Sequence, residues 1–185
     1  MHRDDAWKIL MEHASEERTW RHGIAVESVM RAYGRHFDQD EDRWGLVGLL
    51  HDFDWEIHTT EDLHPEEGSK ILEQRGVAGD IRYAILCHAP YLGLPYTSDM
   101  DRAIFASDEL AGFVMACAMV KPGKSLSLVT PETVRKKMKD KSFARSVSRE
   151  DLRKGAEDLG VDFDDHVRFV AEALKPVAPE LGIQP

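Results

Sequence analysis

Apolar residues recur at spacings of three and four along nearly the whole chain, with only short breakers between the periodic stretches. A first helix is expected over 4–14, carrying Trp7, Ile9, Leu10 and Met11. Ser15, followed by Glu16 and Glu17, reads as an N-cap with an acidic first turn. The helix it opens runs to about His36 on an apolar face of Trp20, Ile24, Val26, Val29, Met30 and Tyr33. A third helix starts in the acidic run 38–42 and carries Trp44, Leu46, Val47, Leu49 and Leu50 into His51-Asp52. No period covers 53–63, which reads as a loop. In His64-Pro65-Glu66-Glu67 the proline suits a first helical turn and the acids suit the positive dipole end. That helix should end near Gly76, and others follow over 78–89 and 100–119, with a Pro/Gly-rich loop over 90–95 between them. Thr130-Pro131-Glu132, the capping-box form Ser148-Arg149-Glu150-Asp151 and the stretch 162–174 mark three more.

No segment alternates as a strand would. The expected fold is therefore all-α, a single-domain helical bundle. Residues 1–125 should form its body and 126–185 a C-terminal helical extension packed on the same core. A hydrophobic content of 42% over 185 residues is enough for one such core.

The charge balance narrows the partners. With 34 acidic against 24 basic residues, a net −10, the chain lacks the basic footprint that duplex nucleic acid demands. A small anion held by a few local cations or bound metals stays compatible. The stretch 103–120 is interrupted by Ser107, Asp108 and Glu109, so no membrane span is expected. Cys87 and Cys117 lie in apolar runs and read as buried free thiols of a reducing compartment. With a polar N-terminus, the expected location is the cytoplasm.

Chemistry concentrates in one set of residues. His51-Asp52 ends an apolar helix, and an adjacent His-Asp pair alone says little. His22 lies 29 positions upstream on a separate amphipathic helix, His64 comes 12 after Asp52, and His88 a further 24 on. Asp108 sits among Ile104, Phe105, Ala106, Leu110 and Ala111, where an acid is costly to bury unless a cation meets it. A divalent metal is the simplest such cation; a salt bridge to Arg102, or an exposed helix face, is the alternative. The remaining histidines, His2, His13, His36, His58 and His166, read as surface or satisfied structural residues. His58 lies in the loop beside the set, where Asp54 and Glu56 are candidates to orient water or carry protons.

The order His22, His51-Asp52, His64, His88, Asp108 resembles the HD superfamily of metal-dependent phosphohydrolases, in its six-ligand, two-metal form. Leu49-Leu50-His51-Asp52, His64 four residues before Gly68, Ile85-Leu86-Cys87-His88-Ala89 and Ala106-Ser107-Asp108-Glu109-Leu110 carry the likeness over about 15–120. Within the superfamily the chain is similar to the short bacterial proteins that split symmetrical dinucleoside polyphosphates. The resemblance implies one metal on His22, His51, Asp52 and Asp108, and a second on Asp52, His64 and His88, with Asp52 bridging. It further implies a metal-bridging hydroxide as nucleophile, a catalytic role for Asp52, and a phosphate ester or anhydride of a small metabolite or nucleotide as substrate. Asp54, by its place in the loop, is the second catalytic candidate, or else a solvated loop acid. Iron or manganese suits such a shell first; magnesium, zinc, cobalt and nickel are also compatible. The superfamily also contains di-iron oxygenases with the same six ligands, and non-catalytic binding or signalling modules that lack them.

Five cations fall within Arg135–Lys141, and Lys121 and Lys124 flank a Pro-Gly turn. Lys124, Lys136 and Lys137 are expected to hold substrate phosphate at the mouth of the metal cleft, or else to form a solvated face. Oligomeric state is left open, a homodimer included.

Overall fold

A computed structural model describes residues 1–185. Nine α-helices follow one another: α1 (Arg3–His13), α2 (Glu17–His36), α3 (Glu41–Leu50), α4 (Glu66–Gln74), α5 (Gly79–Cys87), α6 (Asp99–Met119), α7 (Pro131–Met138), α8 (Arg149–Leu159) and α9 (Phe163–Leu174). There is no strand, and the single sheet-like contact is a parallel bridge between Ser125 and Gln184. The all-α architecture is as expected.

Helix boundaries follow the chemistry of the caps. Side chains of Asp40, Thr130, Ser148 and Asp162 accept from the first-turn N–H groups of α3, α7, α8 and α9. Ser98, unremarked in the sequence, closes a reciprocal capping box with Asp101 at the head of α6. Gly160 ends α8 at φ 75°, a left-handed conformation that glycine adopts without steric cost.

At the head of α2 the structure corrects the sequence. Ser15 does not cap it. The Glu56 carboxylate reaches in from the loop and accepts from Ser15 N (2.8 Å), Ser15 Oγ (2.7 Å) and Glu16 N (3.0 Å). These bonds overcome the opposing effect of burial and hold Glu56 down at about 2. A carboxylate so engaged is a cap and is withdrawn as a proton carrier.

α2 and α6 run through the middle of the molecule. α2 lies against α3 so closely that a Cβ on Gly48 would stand 2.6 Å from the carbonyl of Val26. α8 meets α6 in the same way, a Cβ on Gly155 falling 2.7 Å from Ala106 Cα. The glycine at the first crossing brings together the helices that carry His22 and His51. A single apolar cluster of 43 buried residues extends from Ala6 to Ile183, so side chains beyond 125, such as Leu126, Leu152, Val167 and Leu174, share the core. No helix is long and apolar enough to cross a membrane. Both cysteines are free and buried.

Two polar groups are locked inside. Glu27, 4% exposed, receives both Arg3 (2.7 and 2.8 Å) and Arg31 (2.9 Å), joining α1 to α2. His166 of α9 accepts from the Tyr33 hydroxyl at Nδ1 (2.6 Å) and donates from Nε2 to the Ala106 carbonyl (2.9 Å). Burial lowers its pKa from 6.5 to about 4, so the ring is folded in neutral.

Between pH 6.5 and 4 the unfolded chain takes up a proton that the folded chain refuses, so His166 costs stability as pH falls, on the order of 3 kcal/mol in all. Urea unfolding at pH 7 and pH 4.5 should show a smaller acid-induced loss in His166→Gln than in the parent. Equal losses would dismiss the ring as the source.

Candidate metal centre

The six residues singled out in the sequence arrive from five places in the fold. His22 lies early in α2, His51 caps α3, Asp52 follows it, His64 precedes α4, His88 caps α5, and Asp108 lies midway along α6. Packing of α2, α3, α5 and α6 gathers them into two trios, His22–His51–Asp108 and Asp52–His64–His88. Within each trio the ligating atoms lie within 4.8 Å of one another.

In the first trio His22 Nε2 is 2.8 Å from Asp108 Oδ1 and 3.2 Å from His51 Nε2, while His51 Nε2 is 3.3 Å from Asp108 Oδ1. In the second, His64 Nε2 is 3.1 Å from His88 Nε2. The Asp52 carboxylate lies between the trios. Its Oδ1 is 3.3 Å from His64 Nε2 and 3.4 Å from His88 Nε2; its Oδ2 is 3.6 Å from His51 Nε2 and 3.9 Å from His22 Nε2. Asp108 does not pair with Arg102, which goes to Asp99 instead.

The donor chemistry fits a cation. His51 donates from Nδ1 to the Gly48 carbonyl, His88 from Nδ1 to the Ile85 carbonyl, and His64 from Nδ1 to Asp54 Oδ1 (2.9 Å). With Nδ1 carrying the proton, each neutral ring turns its Nε2 lone pair inward. Two such lone pairs 3.1 Å apart repel unless a proton or a metal lies between them. Ligands about 2.1 Å from one ion and at right angles stand about 3 Å apart, the spacing found here.

Without a metal the site holds protons. Burial works against charge on His51, yet Asp52 and Asp108 outweigh it and raise the ring to about 9. Burial likewise opposes charge on His64, and Asp52 with Asp54 raises it to about 9. Asp52 and Asp108 are both driven well below the usual carboxylate range; burial resists this, and the imidazoles around them prevail.

Asp54 plays another part from the one expected. It is fully buried, faces away from the cleft, and accepts from His64 at one oxygen and from His58 Nδ1 at the other (3.0 Å). Gly68 makes room for it, since a Cβ there would fall 2.4 Å from its carboxyl carbon. Asp54 therefore orients His64, and His58 completes its hydrogen bonding.

The second trio opens into a cleft of about 270 Å³, whose lining also includes Trp55, Glu61, Tyr91, Phe105, Asp108, Glu109 and Asp151. The Tyr91 hydroxyl donates to the His64 carbonyl (2.7 Å). Burial, and then the carboxylates of Asp108, Asp151 and Asp52, push Glu109 up to about 8. None of Lys124, Lys136 and Lys137 lines this cleft, which corrects their expected place at its mouth. Lys124 joins the turn bonded to Gln184, Lys136 faces a surface hollow beside Glu132 and Asp164, and the Lys137 ammonium sits 4.4 Å over the Phe143 ring. The sequence reading missed Glu61, Tyr91 and Asp151, because they carry no spacing signal and come together only through folding.

A larger hollow of about 530 Å³ opens elsewhere, between Arg43, Tyr83 and the head of α6. It holds no trio of ligating groups.

No curated protein and no solved structure matches the chain. The sequence profile of the HD domain matches residues 19–111, just over half of its length and the span that carries all six residues of the two trios. Most members of that superfamily are metal-dependent hydrolases. The order of histidines and aspartates along the chain, the helices that gather them and the matched span agree, and the chain belongs to the HD domain family.

Proposed function

We propose that the protein is a metal-dependent phosphohydrolase that cleaves a phosphate ester or anhydride of a small molecule, nucleotides among the candidates. The observation that carries this reading is the position of Asp52, with one oxygen towards His64 and His88 and the other towards His51 and His22. A carboxylate so placed is shared by both trios. Two divalent ions held there would acidify water and neutralise charge on a phosphoryl group in transit. The chain's own contribution is to fix the ligands. Gly48, Ile85 and Asp54 hold three imidazoles in one tautomer, and buried surroundings keep His51 from turning. Tyr91 ties the His64 backbone to the wall of the cleft.

Purified protein loaded anaerobically with Mn(II) or Fe(II) should contain two metal ions per chain and release phosphate from a panel of phosphate esters and nucleotides. Phosphate release without oxygen supports the hydrolase. Turnover that requires oxygen and a mixed-valent iron pair would overturn it in favour of an oxygenase.

A further inference from the structure

The walls of the cleft carry a charge opposite to the one a phosphate-binding mouth would need. Glu61 from the loop before α4 and Asp151 from the first turn of α8 both line it, and no lysine or arginine does. Two aromatic rings share the mouth, Trp55 at 38% exposure and Tyr91 at 44%. Deeper in the same cleft are the inward-facing Nε2 atoms of His64 and His88, both more than nine-tenths buried.

We propose, building on the phosphohydrolase reading, that the substrate is a small phosphate monoester whose organic end carries a protonated amine, and is not a polyphosphate. Charge accounting separates the alternatives. Two divalent ions with Asp52, Asp108 and a hydroxide would leave the inner site one charge positive, which one phosphate monoester dianion more than offsets. Any further phosphate would lie against Glu61 and Asp151 with no cation to meet it. An ammonium in the same place gains the carboxylates and the faces of Trp55 and Tyr91. On this proposal the likeness to dinucleoside polyphosphate hydrolases does not extend to the substrate.

The test compares 2-aminoethyl phosphate with the isosteric 2-hydroxyethyl phosphate and with ADP, on the Mn(II)-loaded protein. The amine should be preferred over the alcohol by roughly 30-fold in kcat/KM, mostly through KM, and ADP should rank last. In Glu61→Gln, and in the double variant with Asp151→Asn, the amine-to-alcohol ratio should fall towards one. An amine-to-alcohol ratio of one in the parent, or a preference for ADP, would overturn the proposal while leaving the hydrolase intact. Calorimetric binding of the two esters gives a separate answer. If no ester is hydrolysed, the phosphohydrolase reading fails, and equal affinities in that experiment defeat the amine specificity in its own right.

Discussion

Replacing Asp52 by alanine should lower phosphohydrolase activity by at least about 10³-fold and drop bound metal from two ions per chain to one or fewer. The size of the effect follows from geometry. Each of the other five residues belongs to one trio, whereas Asp52 turns an oxygen towards both. His22→Ala supplies the contrast, since it should empty only the first trio and keep one ion at the second. Metal analysis beside a steady-state assay distinguishes the cases, and an Asp52→Ala protein that keeps two ions and its turnover would refute the shared-carboxylate arrangement.

The second large effect is structural. Gly48→Ala should destabilise the protein by at least about 3 kcal/mol, a fall of roughly 6–12 °C in Tm for a chain of this size. Alanine is the better helix former by about 1 kcal/mol, so propensity alone predicts the opposite sign. The clash outweighs it, because the added Cβ would lie 2.6 Å from the carbonyl carbon and oxygen of Val26, backbone that cannot rotate away. α2 and α3 would have to separate, and with them His22 and His51, so metal uptake should weaken alongside stability. Gly79→Ala is the control. It stands at the start of α5 with nothing within 4 Å and should change Tm little or raise it. Thermal unfolding followed by circular dichroism reads both, and a neutral Gly48→Ala would show that the helix crossing is looser than described.

Much of the site was legible along the chain because HD-type ligands announce themselves chemically. A histidine or aspartate inside an apolar helix, as at His51 or Asp108, conflicts with its surroundings unless something cationic is supplied, and that conflict is visible without coordinates. The helix starts at Thr130 and Ser148 were equally readable, since each cap acts within three residues of itself. Glu56 and Asp54 were misjudged for the same reason in reverse. A loop acid looks free for chemistry, but Glu56 caps a helix 40 positions away and Asp54 is spent on His64 and His58. The lysines of the basic run suggested a phosphate clamp that the folded chain does not build.

The local code by itself determined that this chain is helical, where most helices begin, and that an acid at Asp108 conflicts with its apolar neighbourhood; the order of the other five ligands was legible as a likeness to the HD superfamily. Helical period, capping and the cost of burying charge act over a few residues, so they can be read in order. Tertiary structure alone decided that Asp52 stands between two trios, that Asp54 lies behind His64, and that the cleft is walled by Glu61, Glu109 and Asp151. Those relations depend on how closely helices approach at Gly48 and Gly155 and on the angle at which they cross, quantities set by packing among distant residues.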